Sequence, residues 1–318
     1  MKNQNIHRSR GAISLGEFLE TMYPADKPLL GKMILEKSIG LISGPRGGGK
    51  SWNAMLFAYA IAAEKPLEPW GTGSGVPVVI LDGEMRAAGV QERFQLIHAK
   101  NKCEQSRAKA EANIQIISRD HIGDPIGSID TEEGQASIDA LIPESAKLVI
   151  VDNLSAWTSG GREDGTSWAT IKNWLIKKRL RRVAVLLIHH TGKNGAQRGT
   201  SMHEDLLDYS ILLSHLDCSA ERQGTRFGIE HTKLRDYIPE LQRKYEGAIW
   251  TKDGSLMFEF VPAGFSASQN EIEMLRLREE GMSMEEIGRV FGVDKSTISR
   301  ALKKVRVQSA DDGEGMDA

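Results

Sequence analysis

The residues with the clearest chemical potential form a glycine-rich run near the start of the chain. The run fits the pattern G-x-x-x-x-G-K-[ST] and consists of Gly44, Pro45, Arg46, Gly47, Gly48, Gly49, Lys50 and Ser51, with Trp52 directly after it. Glycines let backbone N–H groups close around phosphate oxygens, and a helix that begins there adds positive potential. Lys50 can reach the β- and γ-phosphates of a nucleotide, and Ser51 can ligate Mg²⁺. The run therefore predicts a phosphate-binding loop, and a flexible glycine turn is the alternative interpretation.

Two acidic residues follow apolar, strand-like runs further along the chain. The run 148–151 ends in Asp152, and the run 76–82 leads directly to Gly83 and Glu84. A buried strand can hold a carboxylate at its carboxyl end, so we expect Asp152 to orient Mg²⁺ through the loop serine and a water. Asn153 follows Asp152 where a glutamate could have stood. Glu84 is therefore our candidate for the base that polarises the attacking water, and a helix-capping role is its alternative.

Strand-like and helix-like runs alternate around these residues. Strands are predicted at 39–43, 76–82, 114–117, 148–152 and 183–188, and helices at 52–60, 87–99, 135–141 and 168–180. Such alternation is typical of an α/β fold with a doubly wound, mainly parallel sheet. The later runs 210–216, 226–232, 248–251 and 256–261 are predicted to be hairpin strands that extend the edge of this sheet.

Composition limits the remaining classes of protein. The chain has 318 residues, 40% of them hydrophobic, which suits one large core and a smaller unit. No apolar run approaches the ~20 residues of a membrane span, and the polar N-terminus lacks a signal-peptide core, so we expect a cytoplasmic protein without membrane contact. Cys103 and Cys218 show no paired spacing, which argues against a disulfide framework or zinc site. The net charge of −2 restricts nucleic-acid binding to local patches.

These motifs together resemble the RecA-like ATPases. Within that group the chain is similar to hexameric replicative helicases of the plasmid RepA type, relatives of the DnaB and phage T7 helicases. The resemblance covers roughly residues 25–262. The residues that carry it are the glycine-rich run, Leu81–Met85, Val151–Leu154, Ile188–Lys193 and Glu230–Arg235.

The resemblance implies roles for four further residues. His189 or His190 would contact the γ-phosphate and report its hydrolysis; a histidine satisfied by backbone is the alternative. Lys233 and Arg235 would reach into the site of a neighbouring subunit, with the arginine on the γ-phosphate; unoccupied surface charges are the alternative. ATP and Mg²⁺ are the implied ligands. The arrangement requires a homo-oligomer, most simply a closed ring such as a hexamer.

Two loops are implied to face single-stranded DNA in the ring's channel. They are residues 155–167, which contain Arg162, and residues 192–202, which contain Lys193 and Arg198. Their glycines, serines and few cations suit mobile loops that follow a phosphate backbone, although ordinary solvated loops look the same. Trp157 is the one aromatic residue near the first loop. The largest basic cluster, at 172–182, is also explained as the solvated face and C-terminus of a helix.

The segment 271–307 predicts three helices with helix-turn-helix spacing and a glycine in the turn. Leu275, Ile287, Val290, Ile298 and Leu302 are among the residues expected to face inward. The third helix leaves outward the residues Lys295, Ser296, Thr297, Ser299, Arg300, Lys303 and Lys304. These are donors to phosphates and base edges, as a recognition helix requires, and the segment resembles resolvase- and regulator-type DNA-binding modules. Packing or protein docking is the alternative, and duplex DNA is a further expected target.

The predicted organisation is an N-terminal arm at 1–30, an ATPase domain at 31–262, a linker at 263–270, a helix-turn-helix domain at 271–307 and a disordered acidic tail at 308–318. The first functional hypothesis is an ATP-hydrolysing DNA motor, a ring-forming replicative helicase of a plasmid, phage or other mobile element. The second is an ATP-switched oligomeric DNA-binding regulator, and the third is a recombination mediator. Neither of these would unwind DNA.

Overall fold

The computed structural model describes residues 11–123, 125–159, 165–191, 205–216, 224–263, 269–291, 295, 298–299 and 302. Eight of the candidate DNA-binding residues lie outside the described residues, so their predicted roles have no structural counterpart here. They are Arg162, Lys193, Arg198, Ser296, Thr297, Arg300, Lys303 and Lys304. The predicted acidic tail at 308–318 and most of the linker also lie outside them.

Strands β1 to β13 span Pro28–Leu30, Ile34–Leu35, Ile39–Gly44, Pro66–Leu67, Gly71–Thr72, Val78–Asp82, Ile114–Ser118, Leu148–Asp152, Ala184–His190, Tyr209–Leu216, Gly224–Leu234, Tyr245–Lys252 and Ser255–Pro262. Nine of them form one sheet in the order β13-β12-β11-β10-β3-β9-β8-β6-β7. The strands from β10 to β7 in this order pair in parallel, and those from β10 to β13 pair antiparallel. The predicted α/β class with a mainly parallel sheet is confirmed.

Helices α1 to α9 span Leu15–Glu20, Lys50–Ala63, Ala87–Lys100, Glu104–Asn113, Arg119–Ile122, Glu132–Leu141, Gly165–Leu180, Gln269–Glu279 and Met284–Phe291. Residues of α2, α3 and α4 share one hydrophobic core with the sheet, and residues of α6 and α7 share another. The sheet is therefore covered on both faces. Among the described residues, no helix is both long and apolar enough to cross a membrane.

The central strands are continuous apolar runs because both of their faces are buried. In β6, Ile80 packs into the core that contains α2, whereas Leu81 packs into the core that contains α7. In β8, Ile150 and Val151 divide in the same way. Successive side chains of a strand point to opposite faces, so this division also decides which polar residues at the strand ends face the α2 side.

Helix α4 and strands β9 and β10 are among the elements in which the structure differs from the sequence-based prediction. Helix α4 was not predicted, since its mostly polar and alanine-rich sequence carries a weak apolar stripe. Strand β10 pairs in parallel with β3 as well as antiparallel with β11, so it is an internal strand and not only part of an edge hairpin. Strand β9 extends through His190, which places both predicted histidines inside the strand.

The basic cluster at the end of α7 is only in part a solvated face: Lys177 and Arg181 are exposed, whereas three other cations bind acidic or carbonyl groups. Lys178 is buried and pairs with Asp139 at 2.7 Å. Arg179 donates to Asp208 and to the carbonyl of Lys37, and Arg182 pairs with Asp26 and Glu36. These three cations tie α7 to the start of β3 and to α6, because a buried cation requires an acidic or carbonyl partner.

The C-terminal helical block has its own small core. Met274 of α8, Ile287 of α9, Ile298 and Leu302 are buried together, with Leu275 partly buried against them. Ser283 and Glu286 form reciprocal hydrogen bonds that cap α9. The inward prediction is wrong for Val290, which is 61% exposed. Met274 occupies a core position that the sequence reading did not name.

Helix α1 has no buried residue within the described chain, although Ser14 and Glu17 form a capping box at its start. Its apolar side chains are largely exposed, with Leu15 at 72%, Leu19 at 73% and Met22 at 81%. Within the described chain the arm therefore presents an exposed apolar surface.

One buried histidine makes the stability of the fold depend on pH. The indole Nε1 of Trp70 donates to His231 Nε2 at 3.0 Å, and burial lowers the pKa of His231 to about 4. The folded pKa thus lies below the value of about 6.5 expected in the unfolded chain. The stability contributed by neutral His231 is complete above about pH 6.5 and is lost as the pH falls toward 4.

We expect the free energy of unfolding to fall by at most about 1.4 kcal/mol per pH unit through this one residue. His231→Gln keeps an acceptor for Trp70 but cannot titrate, so the variant should lose this part of the pH dependence. Urea denaturation at pH 7, 6 and 5 measures it, with the exposed His121→Gln as control. An unchanged pH dependence in His231→Gln would show that the pKa of His231 does not differ between the folded and the unfolded chain.

Candidate active site at the carboxyl edge of the sheet

The glycine-rich run forms the loop between β3 and α2, as predicted. Gly47 and Gly49 have φ values of 73° and 83°, a left-handed conformation that glycine adopts without steric cost. Helix α2 begins at Lys50 with Ser51 in its first turn, so its free N–H groups face the loop. This strand, loop and helix together have the form of a phosphate-binding site.

Lys50 is held inside the loop by backbone carbonyls. Its Nζ donates to Gly44 O at 2.9 Å and to Pro45 O at 2.6 Å. Burial lowers the pKa of Lys50 to about 8, while Asp152 and Glu84 act in the opposite direction. A cation kept in place by two neutral acceptors is ready to exchange them for phosphate oxygens, which make stronger charge-assisted hydrogen bonds.

The loop is also packed against a distant strand. A Cβ on Gly49 would lie 2.6 Å from the ring of Phe227 on β11. The glycine is therefore required both by its backbone conformation and by this close approach. The sequence pattern gave the first reason, while the second depends on a residue almost 180 positions away.

Ser51 and Asp152 meet as predicted for a Mg²⁺ site. The Ser51 side chain lies close enough to Asp152 to lower the pKa of its carboxyl group, although burial raises this pKa more strongly. Hydroxyl and carboxylate oxygens are the ligands that Mg²⁺ prefers, and Mg²⁺ keeps several waters and binds phosphate oxygens as well. Within the described ranges, no group of three or more His, Cys, Asp or Glu side chains could hold a metal alone. The residues fit a Mg²⁺ ion that is completed by water and nucleotide.

A further carboxylate, Asp82, ends the neighbouring strand β6 opposite Asp152 in the register of the sheet. It is 1% exposed, and burial together with Asp152 raises its pKa to about 7. The backbone N–H of Met85 lowers this pKa, but it makes no hydrogen bond of normal geometry to either carboxylate oxygen. The sequence reading passed over Asp82 because it lies two residues before the predicted base.

Glu84 lies at the same edge, next to two polar residues from other strands. Asn153 Nδ2 donates to the Glu84 carboxylate, and His190 Nε2 lies 3.2 Å from the same oxygen and 2.9 Å from Asn153 Nδ2. A protonated Nε2 donates to Glu84, whereas an unprotonated Nε2 accepts from Asn153. Helix α3 has Arg86 at its N-cap position and no side-chain cap, so the helix-capping alternative for Glu84 is not what the structure shows.

Asn153 is the functional candidate that the sequence reading missed. It was noted only as a residue that is not glutamate, yet it is 3% exposed and touches both Glu84 and His190. Its Oδ1 accepts from Ala156 N at 3.0 Å, which fixes the direction of the amide. The signal available in the sequence was its position immediately after a buried strand that ends in aspartate.

The two histidines of β9 occupy different environments. His190 pairs with Gly44 in the sheet register and faces Glu84, whereas His189 pairs with Ser43 and is 6% exposed. Since neighbouring side chains of a strand alternate, His189 points to the other face of the sheet. The geometry thus favours His190 over His189 as the residue near the γ-phosphate, which the sequence left undecided.

Trp52 lies one position into α2 beyond Ser51 and is partly buried. The guanidinium carbon of Arg93, on α3, lies 4.9 Å from the centre of its ring, a cation–π contact. Arg93 was not predicted as a site residue. The contact leaves one face of Trp52 covered by the protein, and its predicted contribution to nucleotide binding is still a prediction.

Lys233 and Arg235 lie at the end of the sheet where the parallel strands begin, opposite the end that holds the loop. Lys233 is near the end of β11 and Arg235 follows it, where its Nε donates to Asp208 at 3.0 Å. Phe227, which touches the loop, is eight residues earlier on β11. At about 3.3 Å per residue, Arg235 is roughly 26 Å from the loop of its own chain.

Two of the described candidates for DNA contact, Trp157 and Lys295, differ in their exposure to solvent. Trp157 is fully buried and donates to the carbonyl of Leu81, so it cannot serve as a platform on which bases stack. Lys295 is exposed and pairs with Glu285 of α9 at 2.6 Å. An exposed ion pair of this kind is weak, so it leaves Lys295 available for a phosphate.

Comparison with models of protein families shows the family to which the chain belongs. The chain matches the family model AAA_25, described as an AAA domain, over residues 12–196, which is more than half of its length. The chain belongs to this AAA-domain family. It also matches the model HTH_38, a helix-turn-helix domain, over residues 268–304. Among curated proteins, none matches the chain at a significant level.

Solved structures that resemble this AAA-domain chain include a KaiC-like protein from the hyperthermophilic archaeon Pyrococcus horikoshii. The two are 16% identical with a TM-score of 0.47, over 71% of this chain and 91% of that one. The family models, and not this likeness, identify an AAA ATPase domain followed by a C-terminal helix-turn-helix domain, as expected from the motifs. Membership implies a nucleotide and typically Mg²⁺ as ligands, and the helix-turn-helix suggests DNA as a partner.

The lowered pKa of Lys50 makes nucleotide binding depend on pH. Only the charged amine attracts phosphate, so affinity should decline as the pH rises through about 8, by up to roughly tenfold per pH unit. Titration with a fluorescent ATP analogue at pH 7, 8 and 9 measures this. Lys50→Arg keeps its charge throughout and should show weaker binding that does not change with pH. Constant affinity in the unmodified chain up to pH 9 would contradict the assignment.

Proposed function

We propose that this AAA-domain protein is an ATP-driven DNA motor that forms a ring, a replicative helicase of a plasmid, phage or other mobile element. The observation that carries the proposal is the distance between two groups of residues that lie at opposite ends of the strands of one sheet. The phosphate loop, Asp152 and Glu84 lie at the carboxyl edge, while Arg235 lies roughly 26 Å away at the other. An arginine so placed can assist hydrolysis only in a neighbouring copy.

Most polar residues of the carboxyl edge have a role in this proposal. Lys50 binds the β- and γ-phosphates, and Ser51 and Asp152 hold Mg²⁺, which neutralises phosphate charge when bound. Glu84 positions and deprotonates the attacking water. His190 contacts the γ-phosphate and, through its shared contact with Asn153 and Glu84, links the state of the nucleotide to the position of the base.

Arg235 completes the site of the next subunit. Its side chain is 54% exposed and its partner Asp208 also pairs with Arg179. The guanidinium is therefore about half exposed, and it shares the single negative charge of Asp208 with Arg179. A permanently charged planar group suits the charge that develops on phosphoryl oxygens, and Lys233 supports it from the end of the same strand.

DNA contact is proposed at two places. The predicted loops 155–167 and 192–202 follow β8 and β9 at the edge that holds the nucleotide, although residues 165–167 already belong to α7. Single-stranded DNA would run along these two segments. The helix-turn-helix segment at 271–307 would bind duplex DNA or a loading partner beyond a linker at 263–270. The ATPase domain itself is proposed to span 31–262.

Strand displacement tests the proposal directly. We expect ATP-dependent unwinding of a forked duplex and an ATPase rate that single-stranded DNA increases. Glu84→Gln should reduce hydrolysis by about 10²–10⁴-fold while nucleotide affinity is kept, because the amide cannot take a proton. The exposed Glu92→Gln, on the adjacent helix, is the matched control. Measured unwinding, ATPase rate and nucleotide affinity separate the steps.

Three results would change the conclusion. If Glu84→Gln leaves the rate of ATP hydrolysis unchanged, Glu84 is not the general base. ATPase activity without strand displacement, combined with specific duplex binding that persists in Lys50→Ala, would identify an ATP-switched regulator. Filaments on DNA in place of rings, seen by electron microscopy, would favour a recombination mediator.

The arrangement of Arg235 predicts complementation between two inactive variants. Arg235→Ala retains an intact loop, and Lys50→Ala retains an intact arginine, so each should be inactive alone. Mixed in equal amounts, about one quarter of the interfaces should combine an intact loop with an intact arginine and recover that share of the ATPase rate. The exposed Arg243→Ala serves as control and should stay active alone.

Recovery of activity on mixing requires that the arginine act between chains. Full activity of Arg235→Ala alone would contradict its role, and two inactive variants whose equal mixture stays inactive would exclude action between subunits. Mass measurement of each variant with nucleotide shows whether both still assemble.

A further inference from the structure

The AAA-domain protein buries a carboxylate that the proposed chemistry does not use. Asp82 is 1% exposed at the end of β6, and no described residue makes a hydrogen bond of normal geometry to either of its oxygens. A buried carboxylate without partners is unfavourable by several kcal/mol unless something compensates it. The structure therefore presents a group whose natural partner is not a part of the described chain.

The position of Asp82 indicates what that partner is. Asp82 and Asp152 pair in register on adjacent parallel strands, which lie about 4.8 Å apart. Residues two and four positions before each of them pack into the core that contains α2. By the alternation of strand side chains, both carboxylates face the α2 side, where Ser51 lies close enough to lower the pKa of Asp152.

The described cations nearby do not neutralise this pair. Lys50 donates to the carbonyls of Gly44 and Pro45. Arg93 influences both carboxylates, but its guanidinium stacks on Trp52 and, within the described part of the chain, forms no ion pair with either. Two adjacent buried carboxylates and a hydroxyl are oxygen donors of the kind that a hard divalent cation binds.

We propose that Asp82 is a second acidic anchor of the divalent-cation site, so that the nucleotide-free chain binds Mg²⁺ through Asp82, Asp152 and Ser51. The proposal rests on the proposed function only in that the same pocket receives ATP. Mg²⁺ sites usually take one or two carboxylates together with substrate phosphates. A second carboxylate would supply part of the negatively charged oxygen ligands that phosphate otherwise supplies. The cation would therefore already be bound when the nucleotide arrives.

Metal binding without nucleotide tests this directly. Mn²⁺, measured as free ion by electron paramagnetic resonance, is titrated into the full chain in the absence of nucleotide, and Mg²⁺ is added as competitor. We expect one site that Mg²⁺ displaces and that Asp82→Asn weakens by about 10- to 100-fold. Asp120→Asn removes a nearby carboxylate whose oxygen accepts from Ala87 N, and it should leave the site unchanged.

Thermal unfolding supplies a second readout. Saturating Mg²⁺ should raise the melting temperature of the nucleotide-free chain, since a ligand that binds only the folded state stabilises it. This increase should vanish in Asp82→Asn and in the smaller Asp82→Ser. Both variants should fold, because no described hydrogen bond is lost with the carboxylate. A merely structural Asp82 would alter the melting temperature equally with and without Mg²⁺.

The proposal is overturned if the nucleotide-free chain binds no Mn²⁺, or if Asp82→Asn and Asp82→Ser bind it as the unmodified chain does. Equal weakening by Asp82→Asn and Asp120→Asn would indicate only a general effect of charge and would also overturn it. Failure of the motor function gives a different pattern, in which Mn²⁺ binding depends on Asp82 while strand displacement is absent.

Discussion

The register between parallel strands β3, β9, β8 and β6 is the constraint on which the rest of the molecule depends. Gly44 lies opposite His190, and Asp82 lies opposite Asp152, so these strands end at one line across the sheet. A shift by one residue would turn every side chain of a strand to the wrong face. The apolar bodies of the strands, buried on both faces, prevent that shift. Hydrophobic packing in the middle of the sheet thus decides where the polar groups meet at its end.

Sequence alone was sufficient where the signal is local. The glycine-rich run, the apolar strands and the acidic residues at their ends depend on neighbours within a few positions, and β3, β6 and β8 lie where they were predicted. The meeting of Ser51 with Asp152 followed from one general rule, that parallel strands carry ligand-binding groups at their carboxyl ends.

Prediction failed where a residue's role depends on contacts between distant segments. Asn153 gains its place from Glu84 and His190, and Lys178 is buried because Asp139 lies beneath it. Trp157 follows a strand like a loop residue, yet its ring fills the core under the sheet. Val290 has helical spacing for burial but faces outward. None of these outcomes is encoded by spacing, because each depends on which helix or strand arrives next to it.

Strand β11 joins the two edges of the sheet in a single element. Phe227 near its beginning fills the space left by Gly49, and Arg235 follows its other end, beyond an irregularity of register at Thr232. A hydrogen-bonded strand neither stretches nor compresses appreciably along its axis. Any displacement of the glycine loop that moves Phe227 must consequently either be absorbed by the extra residue at Thr232 or travel along the strand to the arginine. The bulge at Thr232 therefore decides whether such a displacement stays near the loop or reaches Arg235.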